Sequence, residues 1–220
     1  MKLHNCPLCS SKQTQLYYTD DTRQYHACSA CGFIFVPSVF HLSEVEQKTR
    51  YDLHNNDPND ADYRGFLSQV VEPLLERIPK ESEGLDFGCG PGPTLSIMLE
   101  EQGCKVDLFD KFFAQNNEVF SRKYDFITAT EVLEHLSQPA FELNRLYNML
   151  NSGGVLGVMT EMLSDNTSFA DWYYKNDPTH IGFFNRTSLQ RLARTWCAEV
   201  EILSSRVVLI TKTPALVRLT

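Results

Sequence analysis

Residues 85–94 read Leu85-Asp86-Phe87-Gly88-Cys89-Gly90-Pro91-Gly92-Pro93-Thr94. The apolar residues before the glycines predict a short buried strand over 84–87, and the residues after them predict a helix over about 94–102. The glycines let the backbone approach a ligand closely, and the helix N-terminus offers free N–H groups at the same point. The segment therefore predicts a ligand site at a strand–turn–helix junction.

The rest of residues 81–220 alternates strand-like and helix-like stretches. Further strands are predicted at 105–109, 124–129, 155–159, 200–203 and 207–211, with helices at about 139–150 and from a capping box at Thr187 to Trp196. Such alternation predicts a parallel sheet covered by helices. Asp110 ends the second strand, 22 residues after Gly88, where an acid binds ribose hydroxyl groups.

Two kinds of ligand compete for the glycine-rich turn. A dinucleotide fingerprint has the pattern G-x-G-x-x-G, but this turn reads G-x-G-x-G and residue 93 is proline. Asp86 precedes the turn. A carboxylate at that position disfavours a pyrophosphate and can hold an ammonium group directly or through water.

Three features together resemble the class I S-adenosylmethionine-dependent methyltransferases: the run Asp86–Gly92, the acid Asp110 and the run Glu131-Val132-Leu133-Glu134-His135-Leu136. The resemblance covers residues 81–220. It implies an α/β fold with a Rossmann-like methyltransferase sheet, helices on both faces, and S-adenosyl-L-methionine as cofactor. By position, it implies that the cofactor is bound by Asp86, Gly88, Cys89, Gly90, Gly92, Asp110, Thr130 and Glu131.

The chain departs from this family between Asp110 and Asp125. Only fourteen residues separate them, where the family places a helix, a strand and another helix. One strand and at least one helix must therefore be shortened or absent. The adenine of the cofactor is then expected to stack on Phe109, Phe112 or Phe113; the alternative is that these side chains belong to the hydrophobic core.

Candidate catalytic groups follow the third strand and the fourth. If residues 131–136 are helical, Glu131, Glu134 and His135 share a face and can hold a divalent cation. A similar run binds metal in ubiquinone-pathway O-methyltransferases and in small-RNA 2′-O-methyltransferases, while many related enzymes carry it without a metal.

His180 is a candidate general base because histidine titrates near neutrality. The alternative is a histidine that forms a hydrogen bond with the nearby backbone. Trp172, Tyr173 and Tyr174 wall an acceptor pocket or cover the sheet edge.

Four of the seven cysteines form two C-x2-C pairs, Cys6 with Cys9 and Cys28 with Cys31, separated by eighteen residues. Each pair makes a tight turn, helped by the small residues Ser10 and Gly32, and two turns supply four thiolates for a structural zinc ion. Residues 1–40 are therefore predicted to form a zinc-ribbon-like domain without an open position for chemistry. Four free thiols are the alternative. The odd cysteine count and the absence of a secretion signal argue against disulfides.

Residues 41–80 are predicted to form a helical linker or lid before the catalytic domain at 81–220, broken by a turn-rich stretch at 54–60. A lid over the cofactor is predicted to use Tyr51, His54, Asn55, Asn56, Tyr63, Arg64 and Phe66. Arg64 is the candidate partner of the cofactor carboxylate. A solvated linker is the alternative.

Composition and charge narrow the class of partner. The 220 residues carry a net charge of −8, and no segment forms a basic stripe, which disfavours a nucleic-acid partner because phosphate binding needs lysines and arginines. No apolar run approaches the roughly 18 residues of a membrane span, and the N-terminus is not a secretory signal. We therefore expect a cytoplasmic location and no membrane association.

The combined prediction is a methyltransferase with a small-molecule acceptor, with a base among His180, Glu131 and Glu134 if the acceptor is a hydroxyl. Three alternatives stay open at this point. They are an RNA or protein methyltransferase whose ribbon binds substrate, a nicotinamide oxidoreductase, and a non-catalytic module that senses cofactor or mediates assembly.

Overall fold

The computed structural model describes residues 4–53 and 56–214. In chain order its strands and α-helices are β1 (Thr14–Thr19), β2 (Gln24–Cys28), β3 (Ile34–Phe35), α1 (Glu44–Tyr51), α2 (Ala61–Leu75), β4 (Glu83–Phe87), α3 (Thr94–Glu100), β5 (Lys105–Phe109), β6 (Tyr124–Thr130), α4 (Pro139–Met149), β7 (Leu150–Met159), β8 (Gly182–Phe183), α5 (Arg186–Thr195), β9 (Glu199–Ile202) and β10 (Val207–Thr211).

The larger sheet has the strand order β5-β4-β6-β7-β10-β9. Strands β4 to β7 are parallel, whereas β10 runs antiparallel to both of its neighbours. Among the described residues, β5 is an edge strand, and a single turn of 3-10 helix at Asn117–Ser121 is the only helix between β5 and β6. The predicted fold class and the predicted shortening after Asp110 are both confirmed.

Helices cover both faces of this sheet. On one face, α2 and α3 pack through a cluster that joins Leu67 and Leu74 to Phe126 and Leu209. On the other face, α4 and α5 pack onto a second cluster around Ile127. Helix α2 is thus part of the core, although the sequence places it in a lid; its apolar side chains recur at helical spacing because they cover the sheet.

A second sheet joins the cysteine-rich segment to a distant part of the chain. Its order is β1-β2-β3-β8, and every pairing is antiparallel. Ile34 pairs with Phe183, and Phe35 pairs with Gly182. No strand is predicted at β8 from the sequence, because two residues are too few to show a hydrophobic alternation. This four-stranded sheet, called the ribbon sheet below, therefore joins strands from both sides of the predicted domain boundaries at residues 40 and 81.

Helix α5 begins at a cap that also contacts the ribbon. The Asn185 side chain accepts from the Ser188 N–H at 2.8 Å, and the Ser188 hydroxyl accepts from the Asn185 N–H at 3.0 Å. Asn185 Nδ2 also donates to the Gly32 carbonyl at 2.7 Å. The capping box is therefore two residues earlier than the Thr187 box that the sequence predicted.

We expect Asn185→Ala to lower the free energy of unfolding by about 1–2 kcal/mol through loss of the cap, with a further contribution from the lost bond to Gly32. Thr187→Ala removes the exposed hydroxyl of the sequence-predicted cap, and we expect a change within about 0.5 kcal/mol. Urea denaturation of both variants measures the difference. Equal effects would contradict the assignment of the cap to Asn185.

Candidate active site

The carboxyl ends of β4, β5 and β6 meet at one edge of the larger sheet, because the strands are parallel. A cavity of about 700 Å³ opens there, within the range of about 300–1,000 Å³ typical of small-molecule sites. All the predicted cofactor-binding residues line it: Asp86, Gly88, Cys89, Gly90, Gly92, Asp110, Thr130 and Glu131.

The glycine-rich turn adopts a backbone that requires glycine. Gly88 has φ +80° and Gly90 has φ +67°, in the left-handed region that other residues rarely adopt. A Cβ atom on Gly88 would lie 2.3 Å from a methyl group of Val132. The Gly88 N–H donates to the Phe109 carbonyl at 2.7 Å, which ties the turn to the neighbouring strand.

The Asp110 carboxylate joins the turn to the loop that follows β5. One oxygen accepts from the Gly90 N–H at 3.1 Å, and the other accepts from the N–H groups of Phe112 and Phe113 at 2.7 and 3.1 Å. Phe112 and Phe113 line the cavity. Phe109 also reaches it, but its ring stacks on Phe87 in the core at 5.4 Å.

Asp86 is the most deeply buried acid of the cavity lining, with 2% of its surface exposed. The Thr128 hydroxyl donates to its carboxylate at 2.9 Å. Burial raises the pKa of Asp86 to about 7, against the smaller opposing effect of the Thr128 bond. Near neutral pH the Asp86 carboxyl thus populates both protonation states, and a cation in the cavity would favour the charged form.

Two histidines line the other end of the same cavity. His135 Nδ1 lies 3.0 Å from the Thr179 carbonyl, and His180 Nδ1 lies 2.6 Å from the Tyr174 carbonyl. A carbonyl only accepts, so each Nδ1 carries the hydrogen and each Nε2 keeps a lone pair. Burial lowers the pKa of both rings, that of His180 to about 3. Both histidines are therefore neutral hydrogen-bond acceptors at physiological pH.

The helical condition for a shared face of Glu131, Glu134 and His135 is not met after β6. Only Leu133–His135 form a turn of 3-10 helix. Glu131 takes a left-handed backbone (φ +53°) and accepts from Arg206 at 3.0 Å. Glu134 is fully buried outside the cavity lining. Burial raises the pKa of each carboxyl to about 7.

The predicted cation site at Glu131, Glu134 and His135 is accordingly not assembled. Outside the cysteines, the described group whose ligand atoms lie within 4.8 Å of one another is Glu134, His135 and His180. The Glu134 oxygens already accept from the Tyr174 hydroxyl at 2.5 Å and the Thr160 hydroxyl at 2.9 Å. Hydrogen bonds alone thus satisfy this buried carboxyl.

The four cysteines of the ribbon converge as their spacing predicts. Their sulfur atoms lie within 4.8 Å of one another, and both the Cys6–Cys31 and the Cys9–Cys28 sulfur pairs are 3.6 Å apart. With Zn–S bonds of about 2.3 Å, the sulfurs of a tetrahedral site are about 3.8 Å apart. The spacing of the four sulfur atoms therefore suits a tetrahedral metal ion.

Part of the predicted lid reaches the cavity. Tyr51, Asn56, Tyr63 and Phe66 line it, whereas His54 and Asn55 lie outside the described residues. Arg64 does not line the cavity; it pairs with Glu101 and donates to the Pro58 carbonyl.

The aromatic run before His180 does not wall the cavity. Trp172 is buried beneath the ribbon sheet, Tyr173 is 61% exposed, and the Tyr174 hydroxyl binds Glu134. The indole and phenol rings are held by the ribbon and by buried acids, which local sequence does not reveal.

Sequence reasoning missed two residues that shape the site. Thr128 lies directly across from Asp86 in the sheet, and Arg206 pairs with both Glu131 and Glu161. A threonine between the apolar residues Ile127 and Ala129 was an available signal for Thr128. Arg206 comes from the far end of the chain, and no local pattern indicates its partners.

A family model described as a methyltransferase domain matches residues 60–196. This chain belongs to that methyltransferase family. The match covers more than half of the chain and includes α2, in agreement with the packing of that helix. No curated protein matches the chain in a sequence comparison.

Solved structures share the fold at low identity. An O-methyltransferase family protein from Burkholderia thailandensis aligns with a TM-score of 0.55 and 14% identity, over 77% of this chain and 63% of its own. The 1,6-didemethyltoxoflavin-N1-methyltransferase of the same organism gives 0.53 and 14%, over 91% of this chain and 100% of its own. Human N-acetylserotonin methyltransferase gives 0.52 and 15%, over 67% and 52%. The chain thus spans less than two thirds of the first and third proteins.

The family match confirms that the chain is of the predicted methyltransferase class, and the shared fold agrees with it. Within residues 4–53 and 56–214, no helix has both the length and the apolar character needed to cross a bilayer.

We expect Gly88→Ala to destabilise the protein more than Gly103→Ala. Both positions have positive φ, which costs an alanine about 1–2 kcal/mol, but nothing lies within 4 Å of a Cβ on Gly103. The contact with Val132 adds about 1–3 kcal/mol of overpacking at Gly88.

Denaturation of the two alanine variants, and of Gly88→Ala combined with Val132→Ala, measures these effects. The double variant should recover the extra cost. Equal stability of Gly88→Ala and Gly103→Ala would contradict the close approach of Val132 to the turn.

Proposed function

We propose that this enzyme transfers the methyl group of S-adenosylmethionine to a small-molecule acceptor, with a hydroxyl as the favoured acceptor group. The observation that carries the proposal is that one cavity joins the glycine-rich turn and its two acids to a pair of neutral histidines. The acidic charge balance and the similar structures named for small-molecule methylation support this acceptor class.

The residues at the turn suit this cofactor. The glycines line the cavity with backbone, Asp86 offers a carboxylate to the amino group, and Asp110 offers one to the ribose hydroxyls. We assign Thr130 and Glu131 to the methionine end of the cofactor. We assign Phe112 and Phe113, which also line the cavity, to the adenine.

The other end of the cavity suits an acceptor. Bound S-adenosylmethionine supplies an electrophilic sulfonium methyl group, so catalysis depends mainly on alignment of the acceptor. The lone pair on His180 Nε2 accepts a hydrogen bond from the acceptor and orients it. Glu131 lines the cavity and has a pKa near neutrality, which suits it better than the weakly basic His180 to take the proton. Glu134 and His135 hold the surrounding loop.

We infer that the ribbon holds a structural zinc ion at Cys6, Cys9, Cys28 and Cys31. A unit of this size has too small an apolar core to fold without support, and four sulfur ligands leave no open position for substrate.

Native mass spectrometry with added S-adenosylmethionine tests both cofactors together. We expect one zinc ion and one cofactor molecule per chain, and loss of zinc alone in Cys28→Ser, with Cys197→Ser as an exposed control. Isotope transfer from labelled S-adenosylmethionine to a panel of hydroxyl and amine metabolites then tests the reaction. Cofactor binding without transfer to any acceptor would favour a sensing module, and transfer to RNA or protein would overturn the small-molecule acceptor.

The raised pKa of Asp86 predicts pH-dependent cofactor affinity. The carboxylate binds the ammonium group, so binding lowers the Asp86 pKa and releases a proton wherever the free protein is protonated. Affinity should therefore rise by up to about tenfold per pH unit below pH 7 and level off above it.

Titration calorimetry from pH 5.5 to 8.5 measures this dependence. Asp86→Asn should bind more weakly at pH 8 and show a weaker pH dependence, with the remainder due to Glu131. Asp107→Asn is the matched control, since Asp107 lies on the adjacent strand and bonds Tyr124 outside the cavity lining. A pH-independent wild-type affinity would contradict the role of Asp86.

A further inference from the structure

Arg23 lies in the turn between β1 and β2 of the ribbon, and only 6% of its surface is exposed. Its guanidinium group uses all five of its N–H donors. Nε donates to the Tyr25 hydroxyl at 2.8 Å, and Nη1 donates to the carbonyls of Pro178 and His180 at 3.1 and 3.0 Å. Nη2 donates to the carbonyls of Lys175 and of Asp177, the latter at 2.9 Å.

Four of these five acceptors belong to one short segment, residues 175–180, more than 150 positions away along the chain. In the described part of the chain, the Arg23 guanidinium group forms no ion pair. Asp20 accepts from the Arg23 backbone N–H at 2.9 Å and from the Tyr25 hydroxyl at 2.7 Å. The guanidinium group is rigid and planar, so it can bind four carbonyls of one loop at once only if the loop adopts a narrow range of conformations. Arg23 therefore specifies the conformation of this segment.

The same segment ends at His180, one of the two histidines at the acceptor end of the cavity. The Thr179 carbonyl accepts from His135, so the segment orients both rings. Immediately after it, the Ile181 N–H donates to the Glu134 carbonyl at 2.8 Å, and β8 pairs with β3 of the ribbon. The segment is thus held between the ribbon on one side and the turn after β6 on the other.

We propose that Arg23 is a positioning residue of the methyl-acceptor site: through the loop at 175–180, the ribbon holds His180 with Nε2 facing the cavity. This inference rests on the proposed function, and it gives the ribbon a role in acceptor alignment without contact between the ribbon's metal ligands and substrate. Cofactor binding at the glycine-rich turn involves none of the Arg23 partners.

Arg23→Lys tests the proposal because it keeps the charge but replaces five donors in a planar fork with three on one ammonium group. Arg77→Lys is the matched control, since Arg77 also donates to a carbonyl and pairs with Glu201, but outside the cavity lining. Zinc content, cofactor affinity and acceptor kinetics are measured for both variants in the full chain.

In Arg23→Lys we expect one zinc ion per chain, a cofactor Kd within twofold of wild type, and a fall of at least tenfold in kcat/KM for the acceptor. Arg77→Lys should match wild type throughout. Equal losses of cofactor affinity and acceptor turnover would indicate general unfolding and would overturn the positioning role, as would unchanged acceptor kinetics.

A second readout does not depend on activity. Long-range ¹H–¹⁵N spectra of the histidine rings report which nitrogen carries the hydrogen, with His180 assigned from a His180→Gln variant. We expect one Nδ1–H tautomer in wild type and a mixture in Arg23→Lys. If wild type methylates no acceptor, the proposed function fails, yet the ring spectrum still decides whether Arg23 positions His180.

Tyr25→Phe covers the case in which Arg23→Lys does not fold. It removes the acceptor of Nε and leaves the four carbonyl bonds, so the His180 ring spectrum should change in the same direction by a smaller amount. A His180 spectrum identical to wild type in Tyr25→Phe would then overturn the proposal.

Discussion

Parallel hydrogen bonding of β4 with β5 and β6 is the constraint from which the cavity follows. It brings the three strand ends to one edge, and its register places Asp86 directly opposite Thr128. Their side-chain hydrogen bond is therefore a cross-strand pair that a one-residue slip would separate, because neighbouring residues of a strand face opposite sides of the sheet. The register thus fixes both the position of the buried acid and the partner that satisfies it.

The ribbon sheet adds a second constraint, because it takes its fourth strand from the catalytic part of the chain. The β3–β8 pairing and the bonds of Arg23 both act on the segment around His180. The Asn185 cap, which binds Gly32 next to Cys31, continues this contact along α5. The zinc ion proposed for the four cysteines would suit such a role, since it would hold the ribbon rigid where a small apolar core would not.

Features set by short spacing could be predicted from the sequence. The glycine-rich turn, the acid Asp110 after β5 and the four converging cysteines depend on residues close to one another, or on two strands joined by one helix. The antiparallel strands at the end of the sheet were also predictable, since Val207–Thr211 is a continuous apolar run with β-branched residues.

Two failures of prediction occur where long-range contacts act. The run from Glu131 has helical spacing, yet Glu131 takes a left-handed backbone and its side chain pairs with Arg206, 75 residues later. Thr187 has the sequence of a cap, yet Asn185 is the cap and is itself held by the ribbon. In both cases a tertiary partner outweighs a local propensity worth at most about 1 kcal/mol per residue.

The charges around the cavity explain why its glycine-rich turn suits a cationic ligand better than a pyrophosphate. Two lining residues carry a full positive charge, Lys111 and Arg145, and each is paired with a glutamate, Glu44 or Glu142. By contrast, Asp86 and Asp110 form no ion pair within the described residues. A pyrophosphate at the turn would meet these two acids with no free cation to offset them, whereas the ammonium and sulfonium groups of S-adenosylmethionine would lower the free energy of both carboxylates. Burial makes Asp86 costly to ionise, and Asp110 adds a smaller repulsion, so a cationic ligand at the turn would favour the charged carboxylate.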